Sequence, residues 1–303
     1  MNSIDIAGAA RAIRPYIRHT PLLDARIDGR RLLLKLEHLQ LGGSFKLRGA
    51  LNALLARPDG EHVVTASGGN HGLGVATAAG LLGRAATVFV PVTVPAGKAR
   101  RIEAAGARLI RHGSTYAEAA AAATEDADRP GRGYLHAYDD PAVIAGQGTV
   151  AAEVVEEAPE VDSFVVAVGG GGLAAGTALA AGDLAAGTRT TVAVEPEGCR
   201  CLAEALAAGR PVDAPVDSVA ASALGATRVG HLPYQVLRAA PVESVLVSDK
   251  ELLVARDLLW DHFRIAVEPA AAVPFAAWLA GRVTGDLPCL IICGANTDWT
   301  PQG

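Results

Sequence analysis

Apolar runs of strand length alternate with amphipathic stretches of helix length along most of the chain. Short runs rich in Val, Ile and Leu predict strands at Arg31–Glu37, His62–Ala66, Ala85–Val90, Arg108–Arg111, Ser163–Val168, Thr190–Glu195, Ser244–Val247 and Leu287–Cys293. Helical spacing predicts helices at Ser3–Arg14, Phe45–Ala56, Asn70–Leu82, Ala96–Ala105, Ser114–Asp126, Pro141–Glu157, Leu173–Ala181, Leu202–Ala208, Asp249–Phe263 and Ala270–Ala280. Alternation of this kind implies an α/β fold of mostly parallel sheet with helices on its faces. Asp126–Gly133 and Gly209–Pro215 read as surface loops, and the Ala-rich tract Ala117–Thr124 as a strong helix former.

On this framework, Ser44-Phe45-Lys46-Leu47-Arg48-Gly49-Ala50 places a lysine at the mouth of a helix. Gly42-Gly43 reads as a loop and Ser44 as the N-cap. The positive end of a helix disfavours an ammonium ion in its first turn. That is a poor setting for a structural lysine and a good one for an amine that must react, since a neutral amine attacks carbonyls and forms Schiff bases. The chain has only four lysines among its 27 basic residues. A solvated first-turn lysine is the alternative for this segment taken alone.

Two further helix starts follow loops built for close backbone approach. Ser67-Gly68-Gly69-Asn70-His71-Gly72 offers free amides, a hydroxyl and a side-chain amide, a set suited to a carboxylate. A plain strand-to-helix turn is the competing reading. Gly169-Gly170-Gly171-Gly172-Leu173 directly follows a strand, so its N–H groups can wrap a phosphate at the positive end of the next helix. The same stretch permits a loose dinucleotide-binding reading, with Glu195 ending the next strand as a ribose-binding acid. Alternation along Cys289–Cys293 puts both cysteines on one face, and Cys293 at the carboxyl edge of the sheet could touch a ligand; a small core residue is the alternative. An amine, a carboxylate cradle, a phosphate cradle and a thiol together suit an amino acid joined to pyridoxal phosphate.

Composition narrows the class. A net charge of −5 with both signs scattered gives no basic face for nucleic acid or anionic lipid. Met1–Arg14 carries Asp5, Arg11 and Arg14 and does not read as a secretory signal. Ser163–Gly182 is uncharged, but its four glycines favour a buried strand–loop–helix over a membrane span. The four cysteines then read as free thiols in a reducing, cytoplasmic setting, and Cys199-Arg200-Cys201 is too closely spaced for a zinc knuckle, so no metal is expected.

The chain closely resembles the fold type II pyridoxal-phosphate enzymes, specifically the threonine/serine dehydratase and serine racemase family. The resemblance covers almost the whole chain. It is carried by the Lys46 segment, Ser67–Gly72, Pro141-Ala142-Val143-Ile144-Ala145-Gly146-Gln147-Gly148-Thr149, the tetraglycine loop, Glu268-Pro269 and Cys293-Gly294-Ala295-Asn296. It implies two open, mostly parallel sheets flanked by helices, with residues 1–50 and 142–303 forming a large cofactor-binding domain and 51–141 a small substrate-side domain. Pyridoxal 5'-phosphate is the implied cofactor. Lys46 would bond to it covalently and act as catalytic base, Gly169, Gly170, Gly171, Gly172 and Leu173 would hold its phosphate, and Phe45 would pack nearby. Asn70 would bond the ring hydroxyl and Cys293 would face the ring nitrogen. Ser67, Gly68, Gly69, Asn70 and His71 would hold the carboxylate of a small amino-acid substrate. The implied activity is elimination from threonine or serine to a 2-oxo acid and ammonia, in a homodimer.

Departures from the family pattern matter as well. Its racemases carry a second serine where this chain has Gly68, which leaves racemisation, or elimination from a modified hydroxy amino acid, as the alternatives. The family's cation site would include Glu195, but its usual aspartate is Cys201 here. Relatives carry an aspartate at the place of Ser222, which bears on side-chain preference. The chain ends at Gly303, from which no regulatory domain and no feedback by isoleucine are expected. A nicotinamide-dependent oxidoreductase is the distant alternative, and it leaves Lys46 and the Asn70-His71 loop unexplained.

Overall fold

Runs that are apolar throughout become the central strands. In the computed structural model, which describes residues 4–182 and 189–301, every residue of Ala86–Val90 and of Ser163–Ala167 is buried. Parallel strands covered by helices on both faces require this. In chain order the strands are β1 (Leu22–Ile27), β2 (Arg30–Lys35), β3 (His62–Ala66), β4 (Ala86–Val90), β5 (Arg108–Arg111), β6 (Arg132–Tyr134), β7 (Ser163–Ala167), β8 (Thr190–Pro196), β9 (Val242–Val247) and β10 (Pro288–Ile291). The larger sheet runs β1-β2-β10-β7-β8-β9 and the smaller β5-β4-β3-β6. All pairings between these strands are parallel except β1 with β2. The fold class read from the sequence is the one observed.

The helices are α1 (Ile6–Ile13), α2 (Lys46–Leu55), α3 (Asn70–Leu81), α4 (Ala96–Ala104), α5 (Tyr116–Ala127), α6 (Pro141–Glu157), α7 (Gly172–Gly182), α8 (Cys201–Ala208), α9 (Ala221–Leu224), α10 (His231–Ala239), α11 (Asp249–Phe263) and α12 (Pro269–Leu279). The helix expected from Ser3 begins at Ile6; Ser3 itself lies outside the described residues. Among the described residues, no helix is long and apolar enough to cross a membrane. Ser163–Gly182 is indeed strand, glycine turn and helix.

Four elements escaped the periodicity. β1 is half-exposed and carries charges, so it lacks an apolar run, yet it ends in Asp28-Gly29, both with positive φ. That dipeptide is the usual signature of a tight hairpin, and it was the available signal. β6 falls partly in the segment read as a loop; it is a three-residue edge strand paired in parallel with β3. α9 is a single turn. α10 carries Pro233 in its first turn, and its leading N–H groups, on His231 and Leu232, are capped by the Asp139 carboxylate at 2.9 and 2.8 Å. A cap from 92 residues away leaves no local mark.

Two apolar clusters meet where α2 begins, with Phe45 in one and Leu47 in the other. One packs β7, β8 and β10 against α7 and α12 through Val165, Val192, Leu290 and Val273. The other joins Val63 and Val88 of the smaller sheet to Val75 of α3 and to Leu47, Leu51 and Leu54 of α2. The start of α2 is tied to the larger sheet, since Phe45 N–H donates to Cys293 O at 3.2 Å and Ser44 pairs with Gly294. The junction between the two sheets is therefore where Lys46 sits.

Candidate functional site

Ser44 is not the cap of α2. It is extended and buried in its bridge to Gly294, and Phe45 already has helical dihedrals with no side-chain cap. Tertiary pairing has overridden the local capping preference. Lys46 is the first residue of α2, as its position in the motif predicts. Its Nζ donates to Ala137 O at 2.9 Å and lies 5.2 Å from the Phe45 ring centroid. Burial pushes the amine down to about 8, against an opposing pull from Cys293. Helix α3 crosses at this point through Gly74, where a Cβ would lie 3.2 Å from that of Lys46.

The tetraglycine turn joins β7 to α7. Gly171 has φ +91°, and a Cβ on Gly170 would fall 2.2 Å from the Tyr138 ring. Only glycine suits both positions. Among the described residues, no protein acceptor takes the N–H groups of Gly169 to Ala174. Free amides at the positive end of an eleven-residue helix fit a phosphate monoester. Tyr138 follows Ala137, the acceptor of Lys46, so one short segment touches both the amine and the glycine turn.

The third part lies at the start of α3. Asn70 Nδ2 donates to Glu268 Oε1 at 2.6 Å, and Asn70 Oδ1 accepts from Asn296 Nδ2 at 2.8 Å. Glu268 is buried, and burial raises its pKa despite the Asn70 bond and the charges of Lys98 and Arg101. Gly294 leaves room for that carboxyl, since a Cβ there would lie 2.5 Å from Glu268 Oε1. Ser67 Oγ accepts from Gly69 N–H at 3.2 Å. A Cβ on Gly72 would meet Ser67 O at 2.0 Å, so the turn admits only glycine there. The His71 imidazole is turned inward, with Nε2 2.9 Å from Thr65 Oγ1 and 3.3 Å from Leu135 O. Burial and the Lys46 charge hold it down to about 3, so it is neutral, and what His71 leaves for a ligand is its backbone N–H.

Cys293 is buried, and burial pushes its thiol well up, so it carries a proton. The expectation that Cys289 and Cys293 share a face does not hold. β10 ends at Ile291, so alternation stops before Cys293; Cys289 packs with Leu33 and Phe164, whereas Cys293 belongs with Phe45 and Leu290. At the cation position implied by resemblance, the donors do not fit. Both Glu195 oxygens accept N–H groups of α8, from Leu202 at 2.8 Å and Ala203 at 2.9 Å, and Cys201 Sγ donates to Gly169 O at 3.2 Å. Among the described residues, no group of three His, Cys, Asp or Glu could hold a metal.

Tyr138, Glu268 and Asn296 were not read as site residues from the sequence. Glu268 and Asn296 lay inside quoted motifs, but nothing local pairs either with Asn70. Tyr138 had no signal of its own.

A family model described as pyridoxal-phosphate dependent enzyme matches residues 13–294. The L-threonine ammonia-lyase of Geobacter sulfurreducens is 36% identical over 296 residues, covering 94% of this chain and 73% of its own length. The biosynthetic L-threonine dehydratase of Mycobacterium leprae is 40% identical over 312 residues, covering 98% and 73%. The solved structure of maize serine racemase superposes with a TM-score of 0.92 at 32% identity, covering 97% of this chain and 93% of that one. A match running through both sheets and past the last strand leaves the classification plain: this chain belongs to the family of pyridoxal-phosphate-dependent enzymes.

Proposed function

We propose that the chain is an ammonia-lyase that converts a small β-hydroxy amino acid, L-threonine or L-serine, to a 2-oxo acid and ammonia. The observation that carries the reading is the desolvated Lys46 amine, held by Ala137 O within the segment that also covers the glycine turn. The threonine-acting relatives support the substrate class. Gly68 has no side chain to exchange a proton, which favours elimination over racemisation.

Bound at this site, pyridoxal phosphate supplies an electron sink for the bonds breaking at the substrate Cα. Lys46 Nζ, buried and held by Ala137 O, would anchor the cofactor through its aldehyde and, as a free amine, would serve as the base for the substrate Cα proton. The amides of Gly169 to Leu173 hold its phosphate, and Phe45 packs beside it. Asn70, oriented by Glu268 and Asn296, addresses the ring hydroxyl. The protonated Cys293 thiol is a neutral partner for the ring nitrogen. The Ser67 hydroxyl and the N–H groups around Gly68, Gly69, Asn70 and His71 orient the substrate carboxylate.

A cytoplasmic homodimer is part of the same reading, as is the division into residues 1–50 with 142–303 and 51–141. The two separate sheets support that division, with α2 running across residue 50. The test is to incubate cofactor-loaded protein with L-serine and L-threonine and measure pyruvate and 2-oxobutyrate. Lys46→Ala is expected to abolish both; retained oxo-acid production in that variant overturns the mechanism. Inverted serine without oxo acid would make the protein a racemase.

A further inference from the structure

A small pocket opens beside Asn70, lined by Gly68, Gly69, Ser222, Glu268, Lys98 and Arg101 among others. Lys98 and Arg101 stand one turn apart on α4, both part-buried, so they present two cations to the same space. Among the described residues Lys98 has no ion-pair partner. Arg101 has one, the exposed Asp298, at 3.1 Å. The carboxyl inside the pocket, Glu268, is taken up by Asn70 Nδ2 at 2.6 Å, and among the described residues no ion pair joins it to either cation. Ser222 adds no negative charge to the wall.

On the other side of Gly69, the hydroxyl of Ser67 and the free amides at the start of α3 already suit an α-carboxylate. A substrate with one carboxylate would leave the two cations that line the pocket with no anion inside it. We propose that this pocket takes a second carboxylate, so that the preferred substrate is a β-hydroxy amino acid with an acidic side chain, a 3-hydroxy dicarboxylic amino acid.

This inference rests on the ammonia-lyase reading and puts a dicarboxylic β-hydroxy amino acid in place of serine and threonine as the preferred substrate. The chemistry keeps its form. The Cα–H and Cβ–O bonds break, and proton and hydroxide leave together as water. The enamine left behind becomes an imine, and its hydrolysis uses one water and releases ammonia. The product is a 2-oxo diacid, and no oxidant or reductant is consumed.

The test compares kcat/KM of the cofactor-loaded protein for the threo and erythro forms of 3-hydroxyaspartate with those for L-serine and L-threonine. At least one dicarboxylic isomer is expected to exceed serine by about tenfold, the worth of one charge-assisted bond. Lys98→Gln and Arg101→Gln should each cut the ratio of dicarboxylic to serine kcat/KM about tenfold, through KM. Succinate should raise the melting temperature of the loaded protein more than propionate does, and Lys98→Gln should remove the difference. Turnover of serine or threonine at or above the dicarboxylic rate overturns the inference and leaves the ammonia-lyase reading standing. So does an unchanged ratio in both variants. No oxo acid from any substrate overturns both.

Discussion

The Arg48 guanidinium grips the Glu37 carboxylate through two bonds, Nε to Oε2 at 2.9 Å and Nη2 to Oε1 at 2.7 Å, with both side chains fully buried. Its far edge reaches Glu153 at 2.6 and 2.9 Å, and Lys35 Nζ joins the same carboxylate at 2.7 Å. Arg48 lies two residues past Lys46, so this network anchors the inner face of the helix that carries the amine. Removing one member leaves a buried, uncompensated charge. Arg48→Met is expected to lower the unfolding free energy of the apoprotein by about 3–5 kcal/mol. Urea unfolding measures it; a loss below about 1 kcal/mol would match an exposed pair instead.

On the proposed reading, the Lys46 amine sets the pH at which the cofactor is taken up. Desolvation disfavours the ammonium form, so the amine becomes neutral above about 8 instead of its usual 10.5. The neutral form attacks the aldehyde. The rate of borohydride-trappable attachment to cofactor-free protein should therefore rise with pH up to about 8 and level off above it. A rate still climbing beyond about pH 10 would describe an ordinary exposed lysine.

Tyr138 makes the glycine turn intolerant of the smallest side chain. Because a Cβ on Gly170 would sit 2.2 Å from the ring, Gly170→Ala must displace either the ring or the turn. Cofactor affinity should fall about tenfold, as expected when donors move off their ligand by about 1 Å. Tyr138→Ala in the same chain should recover most of it. An absorbance titration with pyridoxal phosphate measures both, and normal binding by the single variant would show that the ring does not seat there.

Gly68→Ser is expected to destabilise the protein, because its Cβ would lie 2.7 Å from Val94 Cγ2. Overpacking of this kind costs about 1–3 kcal/mol. Val94→Ala should relieve it, so the double variant should melt above the Gly68→Ser single variant. Equal melting temperatures would place the strain elsewhere.

Glu195 couples stability to pH. Burial raises it from 4.5 to about 7 even though two N–H groups of α8 favour the anion. The native state therefore keeps a proton that the unfolded chain has lost. The stability this contributes is fully present below about 4.5 and is lost as pH rises through about 7. The span is ~3 kcal/mol at most. Glu195→Gln should flatten that part of the stability profile, and chemical unfolding at a series of pH values checks it. An unchanged slope would assign the titration to another group.

What was legible in the sequence was what short stretches of backbone dictate. A lysine in a helix's first turn, glycines where a strand turns into a helix, and apolar runs buried on both faces are properties of neighbouring residues, and they located Lys46, the tetraglycine turn and the central strands. The pairings that complete the site are not local. Arg48 meets Glu153 across 105 residues, Asn70 meets Glu268 across 198, and Asn296 reaches Asn70 across 226. Tertiary packing alone decided those partners, because a buried carboxyl, amide or guanidinium must find a counterpart wherever the fold brings one. The same demand moved Ser44 from helix cap to bridge partner and gave α10 its cap from Asp139.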